Sequence, residues 1–139
     1  MKERDLKLRT KRFALDVIGF VESLPSGETC RVLGRQLLRA GTSVGANYRA
    51  AGRAKSRADF VNKMGTVEEE ADECGYWLEL LVESGKVRME KANALLIEAN
   101  ELLAITVASI NTARKATAQP SAPEPKNSAF RAPRSAFIR

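Results

Sequence analysis

The sequence predicts an all-α protein: an antiparallel up-down-up-down four-helix bundle with a disordered C-terminal tail. Three observations predict it. Apolar residues recur at three- and four-residue intervals in four separate segments. The breaks between segments are short and rich in turn residues, which makes chain neighbours antiparallel. No stretch alternates apolar and polar residues with the period of two that a half-buried strand requires.

The first helix is expected over roughly residues 4–24. Leu6, Phe13, Val17, Phe20 and Leu24 fall on its stripe, and Thr10 is the one polar step. Pro25, Ser26 and Gly27 end it. The second helix begins near Thr29 and runs toward Lys55, with Leu33, Leu37, Ala40, Val44, Asn47, Ala51 and Ala54 on one stripe. Ser56 followed three residues later by Asp59 resembles a capping box and starts the third helix. That helix carries the cleanest heptad of the chain: Phe60, Met64, Val67, Ala71, Cys74, Leu78 and Leu81. Gly85 is its stop. The fourth runs from about Met89 to Lys115 on a broad stripe of Ala92, Leu95, Leu96, Ala99, Leu102, Leu103, Val107 and Ile110. Helices of about 26 residues reach about 39 Å at a rise of 1.5 Å per residue.

The bundle therefore occupies residues 1–115, and residues 116–139 form a Pro/Ala/Ser-rich basic tail with no helical stripe. The tail repeats a short unit, Ser128-Ala129-Phe130-Arg131 and Ser135-Ala136-Phe137-Ile138-Arg139. The repeat is either a coincidence of composition or a pair of aromatic–arginine units suited to stacking on bases.

Composition narrows the function classes. The chain has 139 residues, no histidine and two cysteines, Cys30 and Cys74. Without histidine it lacks the commonest general base and metal ligand, and two cysteines do not build a zinc site. Both cysteines fall within helical patterns and read as buried small hydrophobes, not as a disulfide. The apolar runs are broken by Glu98 and Glu101 and no leader peptide is apparent, so no membrane partner and a cytoplasmic location are expected. No enzyme activity, cofactor, metal or small-molecule substrate is expected.

The net charge is +6, but it is unevenly spread. Residues 1–63 carry fourteen Lys/Arg against six Asp/Glu, whereas residues 64–115 carry five against ten. Such asymmetry suits either contact with polyanions or complementary packing between subunits. On the second helix, Arg31, Arg35 and Arg39 climb one ridge in steps of four, and Arg49, Arg53 and Arg57 repeat the spacing eighteen residues later. Eighteen residues are five full turns, so the two triplets stack, with the small Thr42 and Ala46 between them. A step of four rises about 6 Å, comparable to the spacing of phosphates along a strand.

The ridge is therefore either a phosphate-contacting face or a set of partners for the acidic block Glu68–Glu70, Asp72 and Glu73. Both hold if Arg49 and Arg53 are structural and Arg31, Arg35 and Arg39 are exposed. Arg31, Arg35, Arg39, Arg49 and Arg53 are the candidate nucleic-acid contacts, with Lys2, Lys7, Lys11 and Arg12 as auxiliaries.

Gly41 and Gly45 each cost a helix interior about 1 kcal/mol relative to alanine, so an offsetting gain is expected. Close approach of another helix is the simplest, and a kink at this segment is the alternative. Asn47 lies on the apolar stripe and reads as a buried hydrogen-bonding residue that fixes register. Tyr76 and Trp77 flank the third helix's core stripe and read as core or interface anchors. The acidic block lacks the inward Glu-x-x-His motif of di-metal bundles and reads as a solvated or salt-bridging face.

The run Gly41-Thr-Ser-Val-Gly-Ala-Asn-Tyr-Arg49 is followed by Arg53-Ala-Lys-Ser-Arg-Ala-Asp-Phe60. Glu70-Ala-Asp-Glu73 and Tyr76-Trp77-Leu78-Glu79-Leu80 come next. Over about residues 8–112 this pattern resembles the bacterial four helix bundle protein family, also called 23S rRNA intervening-sequence proteins. The resemblance implies a small antiparallel bundle that assembles into a ring-shaped homopentamer and is not enzymatic. It also implies kinship with the accessory variability proteins of diversity-generating retroelements, which are basic, bind nucleic acid and partner a reverse transcriptase. The chain departs from the pattern at Ala50, where Glu is common, and at Gly75, where a better helix former is usual. At Ala50 the resemblance no longer implies the acid–arginine contact that a glutamate there would make.

Overall fold

A computed structural model describes residues 5–118, and these form four α-helices: α1 (Leu6–Glu22), α2 (Glu28–Ala51), α3 (Arg57–Glu83) and α4 (Met89–Ala118). The tail repeat and Lys2 lie outside the described residues. Among the described residues there is no strand.

Each helix starts and stops for local reasons. Asp5 caps α1, its carboxylate accepting the Leu8 amide at 3.0 Å. Gly27 precedes α2 with φ 132°, a conformation that favours glycine. Ser56 caps α3 by accepting the Asp59 amide at 3.0 Å. The reciprocal arm of this capping box reaches one residue further back than expected: Asp59 accepts the amide of Lys55, not that of Ser56. Asp59 also pairs with Lys63 at 2.6 Å, and that bond, with the Lys55 amide, holds its carboxyl below the usual range. The α3 stop at Gly85, φ 80°, is a Schellman turn in which Lys86 N–H donates to Leu81 O and Gly85 N–H to Val82 O.

Packing runs around a ring. α2 meets α3 over the longest seam, α3 meets α4 and α1 meets α2 almost as extensively, and α1 and α4 approach closely only over a short stretch. With three short connections this is an up-down-up-down bundle. The heptad of α3 is buried at every position, from Phe60 to Leu81, and forms the centre of the core with Phe13, Val17, Leu37, Val44 and Leu102. Tyr48, absent from the expected stripe, is buried too, because α2 turns one flank to α1 as well as its stripe to α3. Burial pushes its phenol pKa upward.

Two expectations about α4 are corrected. Val107 stays 37 % exposed, on the helix's outer side, while Ile105, Thr106 and Ser109 are buried instead. By length and composition α4 is also long and apolar enough to cross a membrane: its mean hydropathy reaches 1.4 in a window of which 39 % is buried. Its buried stripe is core. Between residues 92 and 113 it exposes Asn93, Ala94, Ile97, Asn100, Ala104, Val107, Ala108 and Asn111, none of them charged, while Glu98 and Glu101 are half-buried.

Candidate nucleic-acid interface

The basic face is built on a close approach of α1 to α2. At Gly41 an added Cβ would sit 2.8 Å from a methyl of buried Val17, and at Gly45 it would sit 3.2 Å from the Thr10 hydroxyl. The glycines therefore let α1 lie against α2, the close approach the sequence implies, and the helical assignment of α2 runs unbroken through them. Asn47 is only partly buried and donates to Ser43 O of its own helix at 2.8 Å, so its amide is satisfied locally and does not set register between helices. Register across this seam comes from the fit of Val17 and Thr10 against the glycines.

The arginine ridge divides in a way that helical geometry explains. A step of four residues turns 400°, so each arginine is displaced about 40° around the axis from the last. Arg39 has consequently rotated toward α3, where it pairs with Glu73 at 2.5 Å and Glu70 at 3.3 Å. Those carboxylates raise its pKa, Glu70 foremost. Arg31 pairs with Glu28 in the first turn of its own helix. Arg49, eighteen residues beyond Arg31, shares its azimuth and faces α1.

The expected division of labour holds only in part: Arg31, Arg35 and Arg39 are exposed as expected, but so are Arg49 and Arg53. The difference is in pairing: Arg39 is tied to α3 by its two bridges, whereas Arg35, Arg49 and Arg53, like Lys7, Lys11 and Arg12, make no ion pair with any described residue. Arg53 lies just past the helix, which ends at Ala51 with Gly52 as its cap.

Two hollows line the α1–α2 seam. One, of about 530 Å³, lies at the start of α1, with Lys7 and Lys11 on one wall and Arg49 on the other. Its floor includes Thr42, Gly45 and Ala46, the smooth patch between the two triplets. Asp5 is its only acid. The second, of about 660 Å³, lies at the α1–α2 turn with Arg31 and Arg35 at its rim and Leu24 and Gly34 inside.

Sequence reasoning missed Arg9. Its guanidinium bridges α1 to α4, at 2.7 Å from Glu98 and 2.6 Å from Glu101. The Glu98 hydrogen bond, more than burial, sets its pKa, which is raised. The signal was present in an i, i+3 pair of acids on a helix otherwise poor in charge. Tyr76 is 53 % exposed and meets the edge of Trp77, ring centroids 5.0 Å apart, so Trp77 packs on the core and Tyr76 projects outward. Cys30 and Cys74 are free and buried, and burial pushes the Cys74 thiol up to about 12, so it is no nucleophile at neutral pH. Among the described residues no cluster of three or more Cys, Asp or Glu side chains is placed to hold a metal.

Residues 2–108 match the model of the 23S rRNA-intervening sequence protein family. The chain belongs to that family. A crystal structure of a protein of unknown function from the S23 ribosomal protein family of Bacteroides thetaiotaomicron is similar at 34 % identity. It covers 80 % of this chain and 99 % of its own, with a TM-score of 0.73. No curated protein matches the chain. The four-helix bundle is thus the fold of a family member.

Proposed function

We propose that the protein is a non-catalytic, homo-oligomeric bundle, pentameric as the family resemblance implies, whose basic face binds RNA or another nucleic acid. One observation carries the reading: Lys7, Lys11, Arg12, Arg35, Arg49 and Arg53 make no ion pair with described residues, although the chain has acids enough to pair Arg9, Arg31, Arg39 and Lys63. Lys7, Lys11, Arg12, Arg35 and Arg49 stand on the adjacent helices α1 and α2, with Arg53 just beyond, and are available to phosphates, each of which releases counterions when neutralised. The outer side of α4 supports self-association, since a solvated helix face normally carries charge and between residues 92 and 113 this one exposes only alanine, isoleucine, valine and asparagine.

Titration of labelled RNA at several salt concentrations tests the binding. Log affinity is expected to fall linearly with log salt, and reversing Arg12, Arg49 and Arg53 to Glu to abolish binding. Absence of any salt-dependent affinity in the wild type would overturn the proposal. A second reading is a protein-interaction scaffold, for example an accessory subunit of a reverse transcriptase, with no direct nucleic-acid role. Exposed Tyr76, beside the acidic positions Asp72 and Glu79, favours it.

A further inference from the structure

We infer that the hollow between Lys7, Lys11 and Arg49 seats one extended strand of nucleic-acid backbone, making the protein selective for single-stranded over duplex nucleic acid; this rests on the nucleic-acid reading above. Cations stand on both walls: Lys7 and Lys11, four residues and about 6 Å apart on α1, face Arg49 of α2 across the floor. None of the three is spent on a described acid.

The floor is empty because of the packing beneath it. Gly45 lets Thr10 of α1 seat against α2, Ala46 and Thr42 above it are short, and the Thr42 hydroxyl is turned back onto Leu38 O at 2.8 Å. Exposed Leu8 adds apolar surface suited to a sugar edge. The hollow is a surface groove above the contact between α1 and α2, open along its length. A single strand lies along such a groove. A duplex carries its phosphates on a broad convex surface and rests on the flanking cations without reaching the floor.

Asp5 is the one group that opposes an anion here. One of its oxygens already accepts the Leu8 amide as the helix cap, and asparagine caps as well as aspartate.

The decisive variant fills the floor without altering charge. Ala46→Trp, at an exposed helix position, is expected to weaken binding of a single-stranded RNA oligonucleotide about tenfold, with duplex RNA affinity changed less than twofold. Asp5→Asn is expected to tighten the single strand a few-fold. Lys7→Gln with Arg49→Gln should lower the salt slope for the single strand by about 1.4, at about 0.7 per phosphate contact. Lys86→Gln with Arg88→Gln, at the far end of the bundle, has the same net charge and should leave it unchanged. Thr42→Trp repeats the fill should the first variant misfold, as read by circular dichroism. Equal affinity of the filled variants and wild type for the single strand, or equal losses for single strand and duplex, would overturn the inference and leave the binding reading standing. If the wild type binds neither, both fall.

Discussion

The α1–α2 seam and the α1–α4 seam hold the same helix by opposite means. Against α2, α1 is held by shape: Val17 and Thr10 fit over Gly41 and Gly45, and among the described residues no ion pair crosses. Against α4 the backbones approach over only a short stretch, and Arg9 spans the gap to Glu98 and Glu101. The difference teaches where charge is left over. A seam closed by steric fit consumes no cations, so Lys7, Lys11 and Arg49 remain available beside it. A seam closed by ion pairs spends its charges on the fold.

The largest effect expected from breaking this contrast is at Gly41. Gly41→Ala gains about 1 kcal/mol in helix propensity, but places a methyl 2.8 Å from Val17, a short side chain that is fully buried. Overpacking of this kind costs about 1–3 kcal/mol, and the cost is expected to win, as a lower midpoint in urea denaturation. Val17→Ala in the same chain should recover part of the loss, a coupling that two independent substitutions would not show. Gly19→Ala, on exposed α1 surface with nothing within 4 Å, is the control and should stabilise by about 0.5–1 kcal/mol. A destabilised Gly19→Ala would mean that α1 is not limited by helix propensity where it is free of neighbours.

On the other seam, Arg9→Met should cost about 1–2 kcal/mol. The pair is charge-assisted and partly buried, with the Arg9 side chain 18 % exposed, so it is worth more than a surface bridge. A double-mutant cycle with Glu98→Gln measures the coupling, which should shrink only modestly in high salt. A coupling near zero would leave the α1–α4 seam to apolar contacts alone.

How much of this was legible follows from the kind of information each feature needs. Phe60 to Leu81 could be read as a buried stripe because heptad periodicity is a local property of one helix. Gly41 and Gly45 could be read as a close approach because their cost demands a gain, but which helix approaches, and that Val17 and Thr10 fill the space, is information held by α1. The arginine ridge was legible as a ridge. Its division was not, because the 40° drift per step matters only once α1 and α3 are known to flank α2 on opposite sides. Asn47 was misread for a related reason: an amide on an apolar stripe can be satisfied by the carbonyl four residues back, which periodicity does not reveal.

The smallest effect on stability, and the sharpest separation of the two uses of charge, is expected between Arg39 and Arg49. Arg39 is 49 % exposed, so its bridges to Glu70 and Glu73 are screened, and Arg39→Ala should lower stability only slightly. Arg49→Ala removes no described ion pair and should change stability by less than about 0.5 kcal/mol. RNA affinity should order them the other way. Arg49→Ala weakens binding and flattens its salt dependence, because a free guanidinium is lost from the face that meets phosphate. Arg39→Ala also lowers the protein's charge by one, but it frees Glu70 and Glu73 on the far side of α2, so its effect on affinity should be smaller. Measuring both variants by denaturation and by RNA titration at the same salt tests the division directly: equal losses of affinity would mean that net charge, not the placement of unpaired cations beside α1, governs binding.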